Sequence, residues 1–404
     1  MNSPVSMPVN TLGAAPANPL APANPWANAK ALGPELAAAG DEIESTRRIP
    51  APLLARMHEL RLCRMLLPRS VGGDEIDPGT YLLTVEEVAR HNGSVGWNIF
   101  VANSATLIAP YLEFETAHTI YREPNALIAW GPPNDTLATV EPGGYRVTGE
   151  WSFASGSRQA TWMGLHCMVQ ENDGSTRLTH DGRPEIRTML FPVEQAIQLD
   201  TWHTIGLRGT ASDSYRVEDL FVADACTGLR EAPETRREPG PLYAFTMQGL
   251  YAVGVAGVAL GIAGAMLDAF KELATQKTPR GLATLADRAG VQSGVARGEA
   301  RIGAGRAYLL ETLRDIYATA RPDTPIDTDE RARVRLGTTN AIHGAIEVAD
   351  WVYHEAGVNS IFPGDPFERR FRDIHTLSQQ IQARDAHYET VGQVMLGRPP
   401  AVFF

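Results

Sequence analysis

The sequence predicts an α+β chain in three parts: a helical N-terminal domain, a small central β-barrel or sandwich, and a C-terminal four-helix domain. Three observations carry this. Apolar residues recur at helical spacing at Leu53, Leu54, Met57, Leu60 and Leu67. A Gly-Gly turn at 143–144 opens a run in which Tyr145, Val147 and Gly149 alternate with Arg146, Thr148 and Glu150, the period of a strand. After the Pro-, Arg- and Glu-rich loop 230–241, four long helical stretches follow.

Taken in order, residues 1–27 are rich in Pro, Ala and Asn and offer little apolar surface to offset the entropy of ordering, so a disordered arm is expected. They lack the basic and apolar regions of a secretory signal. The helical domain is expected over 28–126. Pro and Gly pairs punctuate it at 68–81, a helix runs from about Thr80 to His91, and Ser94 is a suitable N-cap for the apolar helix after it. The β-domain is expected over 127–230, as short apolar runs separated by PPND, ENDGS and DGRPE turns. The last domain, 240–397, is expected to hold helices over 243–274, 282–316, 329–356 and 372–396.

Within the first of these, the uncharged run 250–267 has the length of a membrane span. It is Gly/Ala-rich and stands alone, and is expected as a buried helix whose Gly254, Gly257, Gly261 and Gly264 let neighbours approach closely. Arg331, Arg333 and Arg335 read as a solvated helix start.

A chain of 404 residues exceeds one ordinary core. Its net charge of -11 argues against nucleic-acid or anionic-membrane partners. Cys63, Cys167 and Cys226 are far apart and odd in number, which speaks against a disulfide framework or a metal site and for a reducing cytoplasm. His354 opens HEAGV rather than HExxH, and GAGRAY at 303–308 lies inside an Ala-rich helix, so no zincin, Rossmann or Walker motif is present.

The informative stretch is 143–162, GGYRVTGEWSFASGSRQATW, with its echo at 202–222. After the alternation, residues 153–157 bring small residues and hydroxyls, so backbone can approach a flat ligand while Trp151, Phe153 and Trp162 supply ring surface. That combination suits an isoalloxazine. WSFASG together with IGLRGTASDSYRVEDLFV resembles the acyl-CoA dehydrogenase fold, and within it the oxygenase components of two-component flavin-dependent aromatic hydroxylases. The resemblance extends over nearly the whole chain after about residue 28.

The resemblance implies reduced FMN or FAD, O2, a C4a-hydroperoxyflavin that transfers one oxygen to a small aromatic substrate, a separate NAD(P)H-flavin reductase and a homotetramer. It places Phe153 at the ring-stacking position and Ser155 near flavin N5, with Ser157, Trp202 and Arg208 from the same two motifs on the cofactor. Asn134 falls at the pyrimidine side, and Arg280 at a neighbouring subunit's cofactor phosphate. Trp97, Asn103 and Trp130 fall on the substrate side. Plain readings stand beside these: Trp97 as a core residue, Ser155 as a strand-end serine bonded to backbone, Trp202 as a sheet-edge aromatic and Arg280 as an exposed loop arginine.

Acyl-CoA dehydrogenases of the common type place a catalytic Glu about nine residues after the Arg of an Arg-Asp pair. From Arg372 that position is Ile381, between Gln380 and Gln382. Gln380 takes the place of a histidine expected in the oxygenase branch, and His375 is a second catalytic candidate or a partner of Asp373. Members acting on phenols carry a histidine on the helix that here reads NIFVANSAT, which leaves Asn103 or Ser104. Glutamine cannot shuttle a proton near neutral pH, so a substrate that needs no deprotonation, an indole or indole-3-acetate-like ring, is favoured over a phenol. The alternatives are an acyl-CoA dehydrogenase, an amino-sugar N-hydroxylase of the same fold, or a flavin-free scaffold.

Overall fold

The computed structural model describes residues 24–402 except 181, 231, 322 and 323. The expected arm lies outside the described residues as far as residue 23. The first helix, α1 (Pro25–Ala38), already begins inside its boundary, capped by Asn24 Oδ1, which accepts from Ala27 N at 3.0 Å.

Five more helices complete the N-terminal part: α2 (Gly40–Thr46), α3 (Ala51–Glu59), α4 (Pro78–His91), α5 (Gly93–Thr106) and α6 (Phe114–Tyr121). Asp77 caps α4 by accepting from Thr80 N at 2.9 Å. The cap of α5 is Asn92, which accepts from Val95 N at 3.1 Å. Ser94, expected in that role, sits in the first turn instead and accepts from Gly209 N at 3.2 Å, tying the helix to the β-domain.

The central part is one sheet of eight strands: β1 (Ile128–Trp130), β2 (Leu137–Glu141), β3 (Gly144–Ala154), β4 (Trp162–Gln170), β5 (Ile186–Pro192), β6 (Ile197–Leu199), β7 (Asp213–Ala223) and β8 (Thr227–Gly228). The order is β6-β7-β3-β2-β4-β5-β8, with β1 added parallel to β4. Among the described residues β6 and β8 remain edges, so hydrogen bonding does not close the sheet into a barrel. The two long strands β3 and β7, which carry the two motifs, lie antiparallel side by side, Tyr145 facing Val222 and Ala154 facing Asp213.

The last part comprises α7 (Met247–Gln276), α8 (Ala289–Thr319), α9 (Thr328–Ala356), α10 (Glu368–Leu377) and α11 (Ala386–Met395). The expected fourth helix is thus two. Gln380 adopts an extended backbone and its Oε1 accepts from Gln382 N at 2.6 Å, so residues 378–385 leave the helix between α10 and α11. By length and composition α7 could span a membrane, yet 89% of its apolar window is buried inside the protein. Its glycines do what the sequence suggested: a Cβ at Gly261 would stand 2.3 Å from Glu86 O, and one at Gly254 would meet the Phe100 ring at 2.6 Å. Close approach of α4 and α5 to α7 merges the two helical parts into one core, while the sheet keeps its own. The arginine patch divides. Arg333 is exposed and pairs with Asp315, but Arg335 is only 3% exposed, so it is not part of a solvated helix start.

Candidate active site

The two motifs meet where β3 ends and β7 begins. A bulge lies between Trp151 and Ala154, and inside it Phe153 takes φ +63°, the left-handed region that ordinary residues avoid. Trp151 turns inward to stack on Tyr215 at 5.6 Å, whereas the Phe153 ring is thrown outward and is 63% exposed. Leu207 (φ +49°) and Ala211 (φ +46°) are also left-handed. Three strained non-glycine residues around one point mark a place where the fold imposes a shape that local preference opposes. Direct bonds close the two loops together: Gly156 N donates to Thr210 O at 2.8 Å and Ser157 Oγ to Ala211 O at 3.2 Å.

Four side chains then form a hydrogen-bond chain with a fixed direction. Thr210 Oγ1 donates to Leu207 O at 2.8 Å, so its hydrogen is committed there. The 2.7 Å contact between Thr210 and Ser212 must therefore carry the Ser212 hydrogen, and the 2.6 Å contact between Ser212 and Ser155 the Ser155 hydrogen. Trp97 Nε1 completes the line by donating to Ser155 Oγ at 3.0 Å. Ser155 has given away its hydrogen and keeps one lone pair. Toward any ligand it is an acceptor.

Trp202 is held beside this chain. Asp213 Oδ1 accepts from Thr201 N and Trp202 N at 3.0 and 2.8 Å, while its Oδ2 accepts from Arg158 Nε at 2.6 Å. The indole Nε1 donates to Leu207 O at 3.0 Å, so Trp202 offers a ligand ring surface only. Its ring stands edge-on to Phe153 at 6.2 Å. Leu207 N donates to Asp373 Oδ1 at 2.6 Å, which joins the loop to α10. Burial pushes the Asp373 carboxyl up to about 6.

Below Ser155 lies a recess walled by Met57, Cys63, Asn98, Ala102, Gly156 and Gln159, among others, with no Asp or Glu in its lining. Burial pushes the Cys63 thiol up to about 12, so it stays neutral. The C-terminal segment approaches through rings: Trp97 meets Phe100 at 4.7 Å, Phe100 meets Tyr251 at 4.9 Å, and Gln380 lies near the Tyr251 hydroxyl. Ile381, where a dehydrogenase base would fall, is 50% exposed. Beyond it Gln382 Oε1 accepts from Arg335, a buried guanidinium that desolvation lowers to about 10 and that has no carboxylate within 4 Å among the described residues.

The structure therefore brings Phe153, Ser155, Trp202 and Trp97 together, with Gln380 near Tyr251 at the end of the line of rings. Ser157 is buried and serves to join the loops. The other expected site residues make the following contacts. Asn103 spends its amide on backbone, accepting from Met65 N and Leu66 N and donating to Leu62 O and Ile99 O. Trp130 is buried edge-on against His166 at 5.1 Å. Asn134 is exposed, its amide shared between Glu150 O and Thr136 N. Arg208 is held by Glu44 O and Thr204 O, and Arg280 is exposed in the connection between α7 and α8. His375 pairs with Asp350 of α9 at 2.8 Å rather than with Asp373, because two residues along α10 point to different neighbours. Sequence reasoning missed Ser212, Thr210 and Gln159. The two hydroxyls flanking Ala211 in GTAS were the available signal.

The profile of the acyl-CoA dehydrogenase N-terminal domain matches residues 29–118, and that of its C-terminal domain matches residues 253–384. An indole-3-acetate monooxygenase of Pseudomonas putida is 29% identical over 394 residues, 96% of this chain and 97% of the relative. The oxygenase component of an FADH2-dependent resorcinol hydroxylase from a Rhizobium species is 24% identical, over 89% of this chain and 90% of the relative. Among solved structures, XiaF from Streptomyces in complex with FADH2 and glycerol superimposes with a TM-score of 0.85 at 23% identity, covering 94% of this chain and 96% of XiaF. The dibenzothiophene monooxygenase TdsC from Paenibacillus, solved with FMN and indole, gives 0.75 at 17%, covering 94% and 99%. The chain belongs to the acyl-CoA dehydrogenase family, and the relatives and structures it resembles here are flavin-dependent monooxygenases and hydroxylases.

Proposed function

We propose that the protein is the oxygenase component of a two-component system, inserting one oxygen atom of O2 into a small heteroaromatic acid of the indole-3-acetate type. The observation that carries this is the directed chain ending at Ser155. A reduced flavin presents N5–H as a donor, and Ser155, its own hydrogen committed to Ser212, can only accept. The exposed Phe153 ring and the face of Trp202 fit the flat ring system. When bound, the reduced flavin would supply the two electrons that activate O2, one atom of which goes to the substrate and the other to water.

The chain's own residues provide placement and exclusion. Ser155 holds a proton at the ligand N–H by accepting it, Trp97 and Ser212 fix that hydroxyl, and the recess with no carboxylate leaves nothing to abstract a substrate proton. Phe153, Trp202 and the neutral apolar wall keep water from the reacting face. Support for an electron-rich ring that needs no base comes from Gln380 and Ile381 at the C-terminal segment, and from the 29% identical relative named for indole-3-acetate.

Reduced flavin is supplied by a separate NAD(P)H-flavin reductase, in keeping with the resorcinol-hydroxylase relative being an oxygenase component. The assembly is a cytoplasmic homotetramer, with Arg280 reaching a neighbouring subunit's cofactor phosphate. Exposed Leu282, Tyr308, Ile361 and Phe362 on the last part offer apolar surface for it. The test is a single turnover with chemically reduced FMN or FAD, 18O2 and indole-3-acetate. A product carrying one 18O atom is expected. Hydrogen peroxide alone, or bleaching of oxidised flavin by an acyl-CoA, would refute the reading.

A further inference from the structure

Gln159 carries a buried acceptor with nothing to accept. Its amide orientation is fixed from its neighbours. Asn98 Nδ2 donates to Ser94 O at 3.1 Å and to Gly209 O at 3.0 Å, which uses both of its hydrogens and leaves Asn98 Oδ1 facing Gln159. Only the Gln159 NH2 can satisfy that oxygen, and Nε2 donates to it at 3.1 Å. Gln159 Oε1 is then left buried without a hydrogen-bond partner. Leaving a buried carbonyl unpaired is costly, and such a group calls for an occupant.

The residue lines the recess that Ser155 also lines. The remaining wall near it, Met57, Cys63 and Ala102, is apolar or a neutral thiol. The recess is small, ≈ 10 Å³, room for about one non-hydrogen atom and its hydrogen. A whole ring does not enter it, but there is room for one edge atom of a ring seated at its mouth.

We propose that Gln159 Oε1 receives the ring N–H of the substrate, so that the recess selects heteroaromatic substrates with an N–H at the edge. This rests on the reading above and adds the residue that chooses among ring types. An N–H in the recess satisfies the orphaned carbonyl. A ring oxygen in the same place sets lone pair against lone pair and leaves Oε1 unpaired, which a site built for a donor rejects strongly.

The test is anaerobic binding to the full chain loaded with reduced flavin, using indole-3-acetate and its isostere benzofuran-3-acetate, in wild type and Gln159→Met. Wild type is expected to bind the indole at least about 10-fold tighter, one hydrogen bond's worth. Gln159→Met is expected to bind the two within about twofold. Equal binding by wild type overturns the proposal, and includes the case in which the recess holds only a water. A preference that survives in Gln159→Met overturns it as well. If that variant does not fold, Gln159→Leu takes its place and the wild-type pair still decides. Binding is read without turnover, so an indole preference with no oxygenated product would place the failure in the oxygenation reading instead.

Discussion

Two sides of the site are built differently. On the sheet side, Trp97, Ser155, Ser212 and Thr210 form a closed chain in which every hydrogen has one destination. On the C-terminal side, Gln380, Gln382 and Arg335 form a looser line of amides and a buried cation. The first presents a single acceptor with a set polarity. The second presents no group that titrates as a carboxylate base would. The contrast teaches that one side fixes the direction of a neutral hydroxyl, while the other offers amides and a cation but no carboxylate.

Breaking the sheet side should have the largest effect. Ser155→Ala removes the acceptor and orphans both Trp97 Nε1 and the acceptor role of Ser212. Oxygenated product per reduced flavin is expected to fall about 100-fold, with peroxide rising to match, since deleting one preorganised polar contact at a reacting centre costs about that much. Unfolding should also come earlier, by about 1–3 kcal/mol. Product and peroxide assays beside denaturant melts check both.

The joint between the sides comes next. Asp373 is buried, and its carboxyl stands at about 6 instead of 3.8, raised by desolvation and, more weakly, by Glu44, against the Leu207 N–H bond, Arg372 and Arg369. Between these values the folded chain holds a proton that the unfolded chain has lost, so stability falls as pH rises from about 4 to about 6 and is level above. The total over that range is about 3 kcal/mol. Asp373→Asn should abolish this fall in denaturant melts taken across that range. A variant with the wild-type slope would remove Asp373 as its source.

On the C-terminal side the effects should be smaller. Arg335→Met replaces a buried cation whose partner is a neutral amide, and is expected to leave stability unchanged or raise it by about 1–2 kcal/mol. Gln380→Ala loses the turn cap at Gln382 N, costing about 1 kcal/mol and less than about tenfold in turnover. A 100-fold loss in Gln380→Ala would erase the contrast between the two sides.

The fold was legible because its carriers are periodic. The alternation after Gly143-Gly144 became β3, and the glycine-rich run 250–267 became the central part of α7. The break between α10 and α11 was not legible, since residues 372–396 keep helical composition and only the side chain of Gln380 diverts the backbone. At the site, Phe153, Ser155 and Trp202 come together because the two motifs that carry them lie on and beside the adjacent strands β3 and β7. The contacts of Asn103 and His375 were not legible: each faces a backbone or helix partner distant in sequence, Leu62 and Met65 for one and Asp350 for the other. Direction of a hydroxyl is set by the last acceptor in a line, here Leu207 O, and no local pattern reveals that.

The most direct measurement is the affinity of the protein for reduced against oxidised flavin, FMN and FAD each, in wild type and Ser155→Ala. Oxidised flavin presents N5 as an acceptor, which a serine with a committed hydrogen cannot serve. Reduced flavin should bind at least about 10-fold tighter to wild type, and the preference should vanish in Ser155→Ala. Equal affinity in wild type, or a preference untouched by the substitution, would contradict the account.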